Sequence, residues 1–342
     1  MQSRARFFNE RAKEALKEIF GDLYEHKTFD VGSIFWEVGP GDSEGFFWRA
    51  RNALSEEDLK VILKSPASEI GPPPSEVAQS GRMNPAGIPV FYGALDKATC
   101  VSEIRPSVGS YVVLGKFELL RKVILLDLDA LDKVYVDVSY FDSEYAIRRG
   151  RAAFLRQLVG EISKPIMPQA EDAEYIATQA VAEYLANVVS PQLDGIVFRS
   201  SQTGAVGQNV VLFNHARGVE RDTIPKGAEI EVYPHHDDED GWEDTAIRAF
   251  RILPSDLPKE APLRYEPRDL LDALINRISS EIQPVRYEPQ ITHLEPTLRL
   301  DIESVVVLEI KAVQYTHECI PVYWSEMKKD EDSSAGYPWD WS

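Results

Sequence analysis

The sequence predicts an α+β fold, and three observations carry that prediction. Strand-like segments follow one another without the regular strand–helix–strand alternation of a doubly wound sheet. Two long helical segments, near 142–160 and 172–189, sit together between groups of strands. Hydrophobic residues make up 44% and charged residues 27%, the balance of an ordinary soluble globular protein.

Residues 4–20 read as an amphipathic helix, with Phe7, Phe8, Ala15, Leu16 and Phe20 as its apolar positions and Gly21 as a stop. Segments 33–37 and 46–51 are aromatic-rich and strand-like, joined by a Gly- and Pro-bearing loop. Residues 55–64 form a short helix capped by Ser55. The stretch 65–87 is rich in Pro, Ser and Gly and is expected to be irregular. A strand follows at 88–93, then a helix at 96–105 with Asp96 as its N-cap. Strands near 110–118 and 121–128 precede the two long helices, and strands at 194–201 and 208–214 flank a glycine-bearing loop. Further on, 228–234 and 245–253 read as strands around an acidic segment, 267–282 as a helix and 304–316 as a strand. The tail from Glu326 is expected to be disordered.

Composition excludes several classes. The formal net charge is −19, which argues against broad nucleic-acid binding and against docking on an anionic membrane, and leaves a small anionic substrate to a local pocket of arginines. No apolar run reaches the roughly 18 residues of a membrane span. The N-terminus lacks the continuous apolar segment of a signal peptide, so a cytoplasmic protein is expected. The two cysteines, Cys100 and Cys319, stand outside any CxxC or Cys/His cluster and are expected to be reduced. Gly-rich nucleotide motifs of the GxGxxG and GxxxxGK[ST] types are absent, as is a GxSxG nucleophile elbow. The run His235, His236, Asp237, Asp238 is read as a solvated acidic loop, and no metal site is expected.

Five segments stand out together: FFWRAR (46–51), GRMNPAGIPVFYGA (81–94), CVSEIRP (100–106), DGIVFRSSQTG (194–204) and QNVVLFN (208–214). In this order they resemble the RES domain, a family named for its Arg, Glu and Ser. The matching positions are Arg49 in an aromatic-Arg strand and Arg82 in a Gly-Arg-x-Asn-Pro-x-Gly loop that contains Asn84. They continue with Tyr92 on a strand, Glu103 on a helix, Ser200 at a strand end and Asn209 opening an Asn-to-Phe213 strand. Met83 stands where the family more often has an aromatic residue.

The resemblance implies an ADP-ribosyltransferase-like core of small antiparallel sheets flanked by helices, covering 46–215. Residues 1–45 and 216–342 would then be N- and C-terminal extensions. It also implies an enzyme that cleaves the nicotinamide–ribose bond of NAD⁺, often a toxin held by an antitoxin. NAD⁺ is then the substrate, inorganic phosphate a candidate co-substrate, and no cofactor is called for.

Physical chemistry supplies roles for these residues. Arg49, Arg51 and Arg82 offer guanidinium forks for a pyrophosphate. Tyr92 offers a ring for the cationic nicotinamide. Glu103 is expected to stabilise oxocarbenium charge and hold ribose hydroxyls. Ser200 and Ser201 are expected to orient substrate or Glu103, with Ser200 not a nucleophile because no His base accompanies it. Asn84 and Asn209 hold loop geometry or touch the ligand. The acceptor stays open among phosphate, water and a macromolecule. A non-catalytic nucleotide sensor is the alternative. The extensions are left to cover the site, mediate homo-oligomerisation or receive an inhibitor.

Overall fold

The computed structural model describes residues 10–21, 23–28, 32–136, 139–164, 171–204, 206–221, 229–233, 236–237, 243–244, 247–252 and 295–314. The elements in order are α1 (Glu10–Phe20), β1 (Lys27–Thr28), β2 (Phe35–Val38), β3 (Phe46–Ala53), α2 (Glu56–Lys64), α3 (Pro66–Ile70), β4 (Phe91–Ala94), α4 (Lys97–Glu103) and β5 (Tyr111–Leu119). Then come β6 (Val123–Asp127), α5 (Leu128–Asp132), β7 (Val134–Tyr135), α6 (Tyr145–Ser163), α7 (Glu171–Asn187), β8 (Gly195–Arg199) and β9 (Gln208–Leu212). Last are β10 (Glu229–Tyr233), β11 (His236–Asp237), β12 (Glu243–Asp244), β13 (Arg248–Ile252) and β14 (Leu298–Glu309). Met1–Lys311 is one compact unit and contains all of these; Ala312–Ser342 is a second.

The architecture is α+β, built on one eight-stranded mixed sheet in the order β14-β5-β3-β4-β9-β8-β6-β2. This corrects the expectation of small antiparallel sheets as the core. Neighbours are antiparallel except β6 and β8, which run parallel. The reason lies at β3 and β4, which meet in a single pair, Trp48↔Ala94. That one pair fuses two strand groups into one sheet. Gly93 permits it, because a Cβ there would lie 2.8 Å from the Trp48 carbonyl oxygen. The two edge strands, β2 and β14, come from residues before 46 and after 215. Small two-stranded pairs accompany the sheet: β1 with β7, β10 with β13 and β11 with β12.

Alternation along the strands divides the core into two layers. One face carries Leu126, Ile196, Phe198, Val211 and Phe213, covered by α1, α5, α6 and α7 through Phe20, Leu128, Leu155 and Leu185. The opposite face carries Phe47, Phe91, Val113, Phe117, Val210 and Leu212, covered by α2 and α3 through Leu59, Ile62 and Ile70. Helix α4 lies over the first face nearer β3–β5, packing Cys100 on Ala94 and Leu114.

Local signals explain most boundaries. Ser55 caps α2 by accepting from the Asp58 N–H at 3.1 Å. Asp96 caps α4, accepting from the Thr99 N–H at 2.8 Å. The stretch 65–87 is not wholly irregular: α3 starts with Pro66 at its first position, where a missing N–H costs nothing, and Ser75–Val77 makes a 3-10 turn. The strand expected at 304–316 begins earlier, at Leu298, and ends at Glu309. The acidic segment contains β11 and β12. The helix expected at 267–282, the tail from Glu326, and Cys319 lie outside the described residues. Among the described residues no helix is long and apolar enough to cross a membrane.

Asp194 ties β6, β8 and β9 together from below. Its carboxylate accepts from Arg121 Nη2 at 2.7 Å and from the Ile124 N–H at 2.9 Å, and His215 Nε2 stands 3.7 Å away. Burial alone would raise this carboxyl, but His215, Arg121 and the Ile124 N–H outweigh it and hold it at about 2. A depressed carboxyl stabilises the fold above its ordinary pKa and loses that contribution as pH falls towards 2. We expect Asp194→Asn to cost about 2 kcal/mol at neutral pH. Denaturant midpoints measured between pH 5 and pH 2 should then fall less steeply in the variant than in the native chain. Parallel slopes would show that Asp194 is not the titrating group.

Candidate active site

The centre of the site is the carboxylate of Glu103, the last residue of α4. Its Oε1 accepts from Ser200 Oγ at 2.6 Å and from Asn209 Nδ2 at 2.7 Å. Ser200 follows β8 and is fully buried, and Asn209 lies in β9 at 6% exposure, whereas Glu103 itself is exposed. Among the described residues Oε2 has no donor. Two buried neutral donors therefore fix one oxygen and leave the other facing outward.

Three features bring Glu103 to this place. Ser200 is locked first, since its N–H donates to the Gly207 carbonyl at 2.8 Å and its Oγ accepts from the Gln202 N–H at 3.1 Å. Asp96 then fixes the start of α4, adding a 2.6 Å bond from Thr99 Oγ1 to its own Oδ2. Gly207 lets α4 lie close to the β8–β9 hairpin: a Cβ there would stand 1.7 Å from Thr99 Oγ1. Neither Thr99 nor Gly207 is singled out by the sequence. Their roles come from a contact across more than a hundred residues, which periodicity does not encode.

A second cluster is built around the Arg82 loop. Asn84 is buried, donates from Nδ2 to the Gln79 carbonyl at 2.9 Å and accepts at Oδ1 from Tyr92 Oη at 3.0 Å. The Met83 N–H donates to the Tyr92 hydroxyl at 2.8 Å. Burial pushes the Tyr92 phenol well above its ordinary range, so it stays protonated and donating. Gly81 has to be bare, because a Cβ would meet Asn84 Oδ1 at 2.7 Å and Tyr92 Oη at 2.8 Å. Buried Gln179, on α7, donates from Nε2 to the Gly81 carbonyl at 2.8 Å and pins the loop from the other side. That contribution was also not legible in the sequence.

The Arg82 guanidinium donates to the carbonyl of Ile162, and at 2.8 Å to that of Lys164, where α6 ends. Helix C-termini carry unpaired carbonyls and partial negative charge, so a guanidinium is stabilising there. Arg49 donates from Nε to the Ile70 carbonyl at 2.6 Å and from Nη1 to the Tyr92 carbonyl. Its guanidinium also lies 5.3 Å from the centre of the Phe91 ring. Burial lowers its pKa to about 10. Arg51 pairs with Glu69 at 2.8 Å. Strand alternation puts Arg49 and Arg51 on the α3 side of the sheet, opposite Tyr92 and Asn209. The sequence left open that Arg49 and Arg82 converge. Each instead binds backbone carbonyls on a different element.

Strand register links the clusters. Tyr92 faces Val211 and Ala94 faces Asn209, so Tyr92 and Asn209 share a face as diagonal neighbours. Ser201 is half-buried and makes no hydrogen bond among the described residues. Asn209 Oδ1 is buried and unpartnered. Cys100 is buried, and burial pushes its thiol up to about 12, which removes it as a nucleophile. No group of three or more metal-ligating side chains occurs among the described residues.

No curated protein and no solved structure matches the chain. One family model does, that of the RES domain, over residues 46–236. This span holds Arg49, the Arg82 loop, Tyr92, Glu103, Ser200 and Asn209, and it exceeds half of the 342 residues. The chain therefore belongs to the RES-domain family.

Proposed function

We propose that this protein cleaves the nicotinamide–ribose bond of NAD⁺. The observation that carries the reading is the Glu103 carboxylate, with one oxygen fixed by Ser200 and Asn209 and the other open to a ligand. The sheet, nearly parted between β3 and β4, supports the finer reading of an ADP-ribosyltransferase-like core.

In this reaction the C1′–N bond breaks and its electron pair leaves with nicotinamide, which departs neutral. Positive charge develops on the ribose ring. A carboxylate fixed in advance stabilises that charge without reorganising. Glu103 Oε2 accepts from a ribose hydroxyl and lies against the developing cation, while Asn209, buried behind it, holds the carboxylate in place. Ser200 positions Glu103. Its hydroxyl proton is already committed to the carboxylate, so it does not attack the substrate. Tyr92 presents a ring on the same face as Asn209, suited to a cationic pyridinium. Arg82 stands at the loop beside Tyr92 with a guanidinium suited to a phosphate oxygen, whereas Arg49 lies on the opposite face of the sheet and supports Tyr92 through its carbonyl.

The acceptor at C1′ is water or inorganic phosphate. Either adds to the cationic carbon and gives up a proton, completing the balance. A macromolecular acceptor is disfavoured by the net charge of −19, which repels polyanions. A toxin or defence role, with a protein inhibitor, accords with the family. The test is NAD⁺ consumption by the purified chain, with and without inorganic phosphate, products resolved by mass. Nicotinamide with ADP-ribose 1″-phosphate identifies a phosphorylase, and nicotinamide with free ADP-ribose a glycohydrolase. Binding without consumption in both conditions returns the reading to a nucleotide sensor.

A further inference from the structure

Helix α7 lies outside the five segments that carry the family order, yet three of its side chains grip the Arg82 loop. Tyr175, Thr178 and Gln179 stand at i, i+3 and i+4 and so share one helix face. Gln179 is 3% exposed, and its Nε2 donates to the Ser80 hydroxyl at 2.9 Å and to the carbonyls of Gly81 and Asn84 at 2.8 and 3.1 Å. Thr178 is 4% exposed, and its Oγ1 lies 2.7 Å from the Arg82 carbonyl and 3.0 Å from that of Tyr175. The Tyr175 ring centre lies 6.0 Å from the Arg82 guanidinium carbon, at the limit of cation–π attraction.

The loop is a narrow turn closed by its own backbone. The Gly81 N–H donates to the Asn84 carbonyl at 2.8 Å, and the Asn84 N–H returns to the Gly81 carbonyl at 3.3 Å. Gln179 therefore holds both ends of the turn and Thr178 holds its middle. Arg82 leaves this turn towards the last carbonyls of α6, and Asn84 and the Met83 N–H hold the Tyr92 hydroxyl. A turn that shifts carries both groups with it. Glu103 is held separately, by Ser200 and Asn209.

We propose that Thr178 and Gln179 are positioning residues for substrate binding: they set the Arg82 loop, and through it the Arg82 guanidinium and the Tyr92 ring. The proposal rests on the reading of NAD⁺ as substrate. The phosphates and the nicotinamide ring are charged before the bond breaks. Groups aimed at them act on bound substrate as well as on the transition state, so their displacement appears in KM. Loss of the Glu103 charge appears in kcat instead. The α7 residues and Glu103 thus separate in the kinetics.

The experiment compares the native chain with Gln179→Leu, Thr178→Val and Thr178→Ser by limited trypsin digestion, thermal melting, and NAD⁺ binding and turnover. Trypsin cuts after arginine, and the carbonyl of the Arg82–Met83 bond is the one that Thr178 holds. Cleavage there therefore reports opening of the loop with no ligand present. We expect Gln179→Leu and Thr178→Val to be cut after Arg82 at least tenfold faster than the native chain and to bind NAD⁺ at least tenfold more weakly, with kcat within about threefold. Thr178→Ser keeps the hydroxyl and should stay near native in all three. If packing of the methyl group were the role, Thr178→Ser would be the worse of that pair, which would overturn the assignment of Thr178. Should Gln179→Leu fail to fold, the Thr178 pair carries the same comparison. Unchanged cleavage after Arg82, or a fall in kcat at native affinity, would overturn the proposal. A native chain that binds NAD⁺ without consuming it refutes the proposed cleavage alone, and one that does not bind NAD⁺ refutes the positioning role as well.

Discussion

Glu103→Gln is expected to lower NAD⁺ turnover by about three orders of magnitude, ~4 kcal/mol of transition-state stabilisation, with little change in NAD⁺ affinity. The amide keeps the volume and still accepts at one oxygen, so the bonds from Ser200 and Asn209 survive. What disappears is the negative charge opposite the forming cation. Charge opposite a cationic transition state acts on kcat, whereas a charge needed only for binding acts on KM. Single-turnover and steady-state kinetics separate the two. A variant with raised KM and native kcat would recast Glu103 as a binding group. Ser200→Ala is a milder lesion on this account, because Asn209 still holds the carboxylate.

The second large effect is expected at Gly207. Alanine would place a methyl 1.7 Å from Thr99 Oγ1 and 2.8 Å from Thr99 Cβ, so α4 or the hairpin has to move. Overpacking of this kind costs about 1–3 kcal/mol. The functional loss should exceed the stability loss, because α4 carries Glu103 and the hairpin carries its two donors. Turnover should fall at least tenfold in protein still folded at the assay temperature. Thr99→Ala in the same chain removes the worst contact and should recover part of the activity. Gly150→Ala is the control: the exposed α6 position has open space, so it should raise stability slightly and leave turnover unchanged. Equal activity loss in the control and in Gly207→Ala would contradict the packing argument.

Much of this was legible from local chemistry. The caps Ser55 and Asp96 announce α2 and α4, and alternation in 110–118 and 208–214 announces β5 and β9. The grouping of Glu103, Ser200 and Asn209 was legible only as a family order of residues. Their convergence depends on how α4 lies on β9, a tertiary fact. Sheet closure was not legible, because it turns on one pair between Trp48 and Ala94 made possible by Gly93. The arginines show the same limit. Residue type suggested phosphate ligands at Arg49 and Arg82, while their first partners are carbonyls of Ile70, Tyr92, Ile162 and Lys164. A guanidinium suits an anion and a helix terminus equally, and only packing decides which it meets. The α5 helix and β7 were missed because each is short and takes its stability from the layer it joins.

The decisive point is whether Glu103, fixed by Ser200 and Asn209, drives scission of the nicotinamide–ribose bond. Its most direct test is nicotinamide release from NAD⁺, measured side by side for the native chain and Glu103→Gln, with NAD⁺ binding measured on the same samples. Release by the native protein is expected, about a thousandfold less by the variant, and comparable affinity in both. Equal release by the two proteins, or none by a native chain that binds NAD⁺, would contradict it.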